Sequence, residues 1–437
     1  MSQSAGWSST ARLLRRAGFG TTGTAVDAAL KVGPAAYVRT MLAADPDADP
    51  GAKATPTPSF DQIPPVGKNA SNDQRQQRNK ALRAQLTTLT SWWVRRMVTA
   101  EQPFGEKLTF CWHNHFATAA TKVRNANWML AQNEKLRRMG RGEFRPLALA
   151  MLTDAAMLAW LDGRKNTAKA PNENLSREFM ELFALGHGDG YTEDDVRAGA
   201  TALTGWKIRP DGSTHLNAEQ HATSPVTFLG VTGSFDVIRF CDTVLARPAG
   251  PRYLATRWWG QLASNTAPTS AVVDRLVGAY GPERDLAAMF SALFTAPEFE
   301  SAQHSIVIGP VEWLIGVSRA LRVPVPDENG AKKLVTVLRA LGQEPFYPPN
   351  VGGWPSGQAW LSTAAADLRM RAGLALANAG DLTSVASAAS SERVDAAGYL
   401  LGVGAWSARS RAVLQAEAAN PQRLVATAVN TPEYLTN

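Results

Sequence analysis

Apolar residues recur three and four positions apart along most of this chain, and that spacing constrains its fold more than any other feature. It runs through residues 80–100, 104–119, 126–160, 173–187, 193–205, 236–247, 251–263, 271–279, 284–295, 310–322, 331–341, 364–378 and 420–430. Such spacing puts apolar side chains on one face of a helix. Strand-like patterning is confined to VTFLGVTGSFD, residues 226–236, which predicts a short hairpin. The expected fold class is mainly α, a multi-helical array with long loops and at most that one hairpin. With 437 residues, 45% of them hydrophobic, the chain can build one large core or two to three domains.

Breaks in the pattern suggest its organisation. Residues 43–74 are rich in Pro, Asp and Ala and nearly lack large apolar side chains. Burial cannot offset the entropy of ordering them, so a mobile surface excursion is expected. The polar, Gly-rich stretch 208–235 would separate an N-terminal helical half, 1–207, from a C-terminal half, 236–437. Residues 344–363, EPFYPPNVGGWPSGQAWLST, combine Pro and Gly with aromatic anchors and predict an ordered loop. TAPEF (295–299) and NTPEY (430–434) echo each other: Thr caps, Pro enters the first turn and an acid follows.

The 45 Lys and Arg exceed the 38 Asp and Glu, for a net charge of +7, but the surplus is scattered at helical spacing. No basic tail results, and nucleic-acid binding is not expected. Cys111 and Cys241 lie in apolar runs and no CxxC occurs, which argues against thiol redox chemistry and a Cys-based zinc site. Arg15-Arg16 is followed by AGFGTTGTAVDAALKVGP, where an export signal would need an apolar stretch of about 7–15 residues. The mature fold is expected to begin there, with a helix around Ala25–Leu30. No apolar run of about 18 residues appears, so a cytoplasmic protein without a membrane span is expected.

The densest polar constellation is APNENLSREFMELFALGHGDGYTEDDV, residues 170–196. On a helical wheel starting at Glu173, Arg177 falls at about 40°, Glu181 at about 80°, Asn174 at about 100° and Glu178 at about 140°. Leu175, Phe179, Leu182 and Phe183 occupy the opposite side. Gly186 should end this helix, and Thr192 with Asp195 forms a capping-box start to the next. The polar arc is either a solvent face laced by i, i+4 ion pairs or an inward carboxylate cluster able to hold a metal or act as acid and base. FCWHNHF, residues 110–116, is the second candidate. In a helix, His113 and His115 stand about 200° apart and cannot share a ligand; in an extended segment they would point the same way. His215, His221 and His304 are isolated. Trp354 and Trp360 could stack on a sugar ring or, more in keeping with their loop, pin it to the helices. There is no P-loop, no GxGxxG after a strand and no GxSxG elbow.

LLRRAGFG (13–20), FCWHNHFAT (110–118), NENLSREFMELFALGHGDGYTEDDVRAGATALTGW (172–206) and PPNVGGWPSGQAWLST (348–363) together resemble the bacterial family catalogued as domain of unknown function 1800. The family's signatures are an HNHF segment, an NENxxRExxEL helix followed by YTExDV and TGW, and a PPNVxGWP loop. The resemblance implies a largely helical chain and brings no settled activity. It also implies a neighbour: relatives are often exported and often encoded beside the family catalogued as domain of unknown function 1501, which looks like phosphatases and sulfatases. Where many relatives read HDxGxK, this chain has HATSPV, with Ala222 and Val226 in place of the Asp and Lys.

Because Asn172, Glu173, Asn174, Arg177, Glu178 and Glu181 occupy motif positions, the resemblance favours the inward reading. The expectation is an enzyme whose Glu178, Glu181 and Arg177 do the chemistry. His113, His115, Glu173 and Glu178 would hold a divalent Zn, Mn or Fe for hydrolytic or oxidative work. Asn172, Asn174, Trp354 and Trp360 would line the substrate side. The alternative is a non-catalytic binding or scaffold protein working with the phosphatase- or sulfatase-like neighbour.

Overall fold

The computed structural model describes residues 3–188, 190–301, 305–325 and 327–436; His304 lies outside them. Over these residues the chain is mainly helical, with 25 α-helices and two small two-stranded antiparallel sheets. Val226–Phe228 pairs with Val231–Gly233, inside the segment where the hairpin was expected. A second hairpin joins Trp206–Ile208 to Thr214–Leu216. Three-residue strands are too short to show alternation, although Asp211-Gly212 between them is a hairpin-turn signal, with Gly212 at φ 86°. None of the described helices is long and apolar enough to cross a membrane.

Two of the expected helices start or break differently. The stretch 126–160 is three helices, Ala126–Met139, Phe144–Leu152 and Ala155–Trp160. Gly140 ends the first, and the Asp154 carboxylate caps the third by accepting the Met157 N–H. The N-terminal motif begins earlier than expected, in helix Ala5–Ala17, before helix Gly23–Val32. Arg15 and Arg16 are buried there. Arg15 donates to the Tyr434 carbonyl at 2.5 Å and lies 5.0 Å from the Tyr434 ring. Arg16 donates to the Ala263 carbonyl and lies 5.4 Å from the Phe299 ring. Adjacent arginines therefore clamp the two echoing segments, NTPEY and TAPEF.

The apolar side chains form two clusters that do not follow the boundary drawn at 208–235. One gathers Trp112, Phe116, Phe144, Phe183, Trp258 and Phe290. The other takes Trp93 from helix Asn72–Thr99 and combines it with Trp313, Leu338, Phe346, Trp354 and Tyr434. Segments from either side of 208–235 thus complete each other's core. In the Pro-rich stretch 43–74, Ala52 is buried, Phe60 packs against the second cluster and several carbonyls accept side-chain donors. Trp92 Nε1 reaches the Thr55 carbonyl at 3.1 Å, Arg96 the Pro46 carbonyl at 2.9 Å and Gln85 the Asp61 carbonyl at 2.8 Å.

Helix Phe104–His115 runs between the clusters, with Leu108, Cys111 and Trp112 in one and Phe110 in the other. Ten of its twelve residues are buried. Its charges must therefore find partners on neighbouring helices. Glu106 accepts from Arg96 at 2.5 Å, from Arg137 at 2.8 and 2.9 Å and from the Trp93 indole at 2.9 Å. Burial alone would raise the Glu106 carboxyl, but Arg137 and Arg96 outweigh it and hold the group at about 2. Lys107 pairs with Glu312 on helix Pro310–Ala320. Replacing Glu106 by Gln strands two guanidinium groups in the core. The expected cost is about 3–5 kcal/mol of stability in urea unfolding; a loss under about 1 kcal/mol would mean the network is not needed.

Candidate functional site

The central helix ends in the sequence His113-Asn114-His115, and each of these side chains reaches a different signature segment or its neighbour. Phe346, at the start of the Pro/Gly loop, donates its N–H to His113 Nε2 at 3.1 Å. The His113 ring meets Trp93 and Trp354 edge-on, with centroids 5.5 Å away in each case. Asn114 Oδ1 accepts the Trp354 N–H at 2.8 Å. Gly353 makes that approach possible: at φ 86°, a Cβ there would lie 2.3 Å from Asn114 Oδ1. His115, on the other side of the helix, donates from Nε2 to the Phe183 carbonyl at 2.9 Å.

Phe183 belongs to the NENxxRExxEL segment, whose winding differs from the expected regular helix. Asn174–Glu178 is α-helical, and Phe179–Ala184 is a π-helical turn, closed by the Leu185 N–H on the Met180 carbonyl at 2.8 Å. The last carbonyls of a helix lack partners within it. Here His115 satisfies Phe183, and the Tyr253 hydroxyl donates to the Leu182 carbonyl at 2.6 Å.

These bonds decide what the imidazoles can do. Burial lowers His113 to about 3; His115 is lowered to about 3 by burial and then by the Arg257 charge. Both rings are neutral at physiological pH. His113 Nε2 is spent on a backbone N–H and His115 Nε2 on a carbonyl, while the remaining buried nitrogen of His115, Nδ1, has no hydrogen-bond partner. The His115 ring packs 4.8 Å from Phe116 and 5.3 Å from Trp112. The helical geometry that puts the rings about 200° apart holds, so they share no ligand.

The carboxylates lie elsewhere, at the surface, and this corrects the expected inward cluster. Arg177 is their hub: it contacts Glu173 at 3.0 Å, Glu181 at 3.5 Å and Glu193 at 2.7 Å. Glu193 opens helix Glu193–Ala202 behind the Thr192–Asp195 capping box. The helical wheel could not reveal it, because it sits on another element. Arg177 is held charged, above the usual guanidinium range, first by the Glu193 hydrogen bonds. Glu181 also lies 3.5 Å from His187. Glu178 is half-buried and forms no ion pair among the described residues; burial, then Glu181, raises its carboxyl. Asn172 Oδ1 accepts the Asn174 N–H at 3.1 Å, a local turn bond. Among the described residues no three His, Cys, Asp or Glu side chains are placed to hold a metal ion. His113, His115, Glu173 and Glu178 therefore do not fit a Zn, Mn or Fe site.

Of the residues expected on the substrate side, Asn172 and Asn174 lie at the polar arc, while Trp354 and Trp360 lie in the Pro/Gly loop, where Trp360 lines a small cavity. Trp354 is buried and stacked on Phe110 at 5.4 Å, and Trp360 is buried with its carbonyl accepting from Arg369 at 2.9 Å. Both pin the loop. Beside Asn114, Lys107 and Gln261 is a cavity of about 70 Å³. That is well below the roughly 300–1,000 Å³ of small-molecule sites.

Fold and site define a mainly helical protein whose signature segments close on one another through a buried helix. The chain belongs to the family described as Protein of unknown function (DUF1800), whose model matches residues 12–436. No curated protein and no solved structure matches it.

The lowered imidazoles make stability depend on pH. Between about 6.5 and 3 the unfolded chain binds a proton at each ring that the folded chain does not, so this stability is complete above about 6.5 and is lost as pH falls. Unfolding free energy should drop by up to about 1.4 kcal/mol per pH unit per imidazole. Urea unfolding between pH 6.5 and 5 checks this, and His113→Gln should remove about half of the slope. An unchanged slope would show that the ring titrates alike in both states.

Proposed function

We propose that this chain is a non-catalytic binding protein, a rigid helical scaffold that works with a partner. The observation that carries this reading is that the motif side chains other than Glu178 are engaged with one another or with backbone. His113 and His115 spend Nε2 on the backbone, Asn114 holds the loop, and Glu173, Glu181 and Glu193 surround Arg177. Acid–base or metal chemistry would need a reactive group facing space for a guest, and the space beside the clasp is about 70 Å³.

The polar arc remains half-exposed and braced in one arrangement by Arg177, as a recognition surface requires. Its carboxylates outnumber its guanidinium, which suits a partner face rich in donors. The partner to test first is the phosphatase- or sulfatase-like protein of the family catalogued as domain of unknown function 1501, which the family resemblance brings with it. Co-expression with that protein should yield a complex that survives size exclusion. Glu178→Lys should weaken it about tenfold or more without moving the melting temperature of the free chain. Absence of a complex, together with one bound metal per chain and an activity lost in Glu178→Ala, would overturn the reading.

A further inference from the structure

The first signature segment opens onto a cavity that none of the expected site residues line. After helix Ala5–Ala17 the chain turns through GFGTTGT, residues 18–24, into helix Gly23–Val32. Two glycines press this turn against its neighbours. A Cβ on Gly20, which sits at φ 70°, would lie 3.0 Å from the Gly316 Cα, and one on Gly23 would lie 2.3 Å from the Tyr399 ring. The turn is thereby seated without side chains beneath it, and Thr21, Thr22 and Thr24 line a cavity of about 640 Å³.

The opposite wall comes from far along the chain. Arg319 and Arg322 follow helix Pro310–Ala320 closely or end it, and Asp381, Thr383 and Ser384 come from the segment after helix Thr363–Ala379. Arg319 is anchored by donating to the carbonyls of Met97 at 3.1 Å, Val98 at 2.9 Å and Ala100 at 2.5 Å. Arg322, on the rim, holds a left-handed backbone at φ 48°, a conformation costly for a side-chain-bearing residue and concentrated at functional positions.

The lining selects a ligand class. Its volume lies within the roughly 300–1,000 Å³ range of small-molecule sites. Arg319 and Arg322 are balanced by Glu101 and Asp381, so the walls carry no net charge and favour a neutral guest. Five Thr and Ser residues line it; the Thr22 and Thr24 hydroxyls bond each other at 2.9 Å, Thr22 also accepts the Ala25 N–H at 3.3 Å and Thr383 bonds Asp381. Yet a hydroxyl both donates and accepts, so the capacity that is left complements a guest that is itself dense in hydroxyls. Tyr399 commits its own hydroxyl to Asp27 at 2.6 Å, so that its ring serves as an apolar wall, and Tyr37 adds a second ring. We propose that this cavity is a binding site for a neutral saccharide of about disaccharide size, gripped between the threonine turn and the Arg319–Ser384 wall.

The proposal is independent of any partner at the acidic arc. It is tested on the full chain by calorimetric titration with trehalose, maltose, cellobiose and diacetylchitobiose, with inorganic phosphate and glutamate as charged probes. Saturable binding of at least one disaccharide, with Kd in the micromolar to low millimolar range, is expected. Ser384→Trp or Thr24→Trp, both at exposed rim positions, should weaken it about tenfold or more while the unliganded melting temperature stays within about 1 °C. Two variants guard against one failing to fold. Binding of phosphate or glutamate alone, binding of no saccharide, or saccharide binding unmoved by either folded variant would overturn the proposal.

Discussion

A helix with ten of twelve residues buried must find partners for the polar side chains it carries inside, and helix Phe104–His115 finds one for each of Glu106, Lys107, His113 and His115, leaving the second imidazole nitrogen of His115 alone. Burying such groups without partners costs several kcal/mol each. Each partner comes from a different part of the chain: Arg96 and Arg137 for Glu106, Glu312 for Lys107, Phe346 for His113 and Phe183 for His115. Desolvation thus dictates which segments meet. The helix acts as an axle, and the two apolar clusters close around it from both sides.

The same requirement explains why signature segments far apart in sequence read as one motif set. HNHF has no reason to keep two imidazoles unless the Pro/Gly loop and the π-helical turn present a backbone N–H and a carbonyl at the right places. The loop in turn needs Gly353, because a side chain there would strike Asn114. Arg15 and Arg16 do comparable work at the periphery, tying helix Ala5–Ala17 to the last helix and to the Ala263 turn. In the fold these groups join segments that lie far apart in sequence.

Much of the helical architecture was legible, because apolar spacing and caps such as Thr192–Asp195 are local signals. The direction of the polar arc was not. The wheel placed Leu175, Phe179 and Phe183 opposite Arg177, and those three are indeed buried, which by itself turns the carboxylates toward water. Motif resemblance pulled the expectation the other way, since shared residues suggest reactivity as readily as joinery. The π-helical turn and the contact of Arg177 with Glu193 depend on tertiary context and leave no mark on periodicity. The cavity beside GFGTTGT combines segments hundreds of residues apart, which local spacing does not reveal.

Ring protonation reports the clasp most directly. Long-range proton–nitrogen NMR spectra of the full chain carrying ¹⁵N-histidine, assigned by single substitutions, distinguish the two neutral tautomers of each ring. His113, accepting at Nε2, should carry its proton on Nδ1, and His115, donating from Nε2, should carry its proton there. Neither should change between about pH 7 and 5, nor on adding Zn²⁺. Titration of either ring near about 6.5, or joint displacement of both by the metal, would contradict the structural role assigned to them.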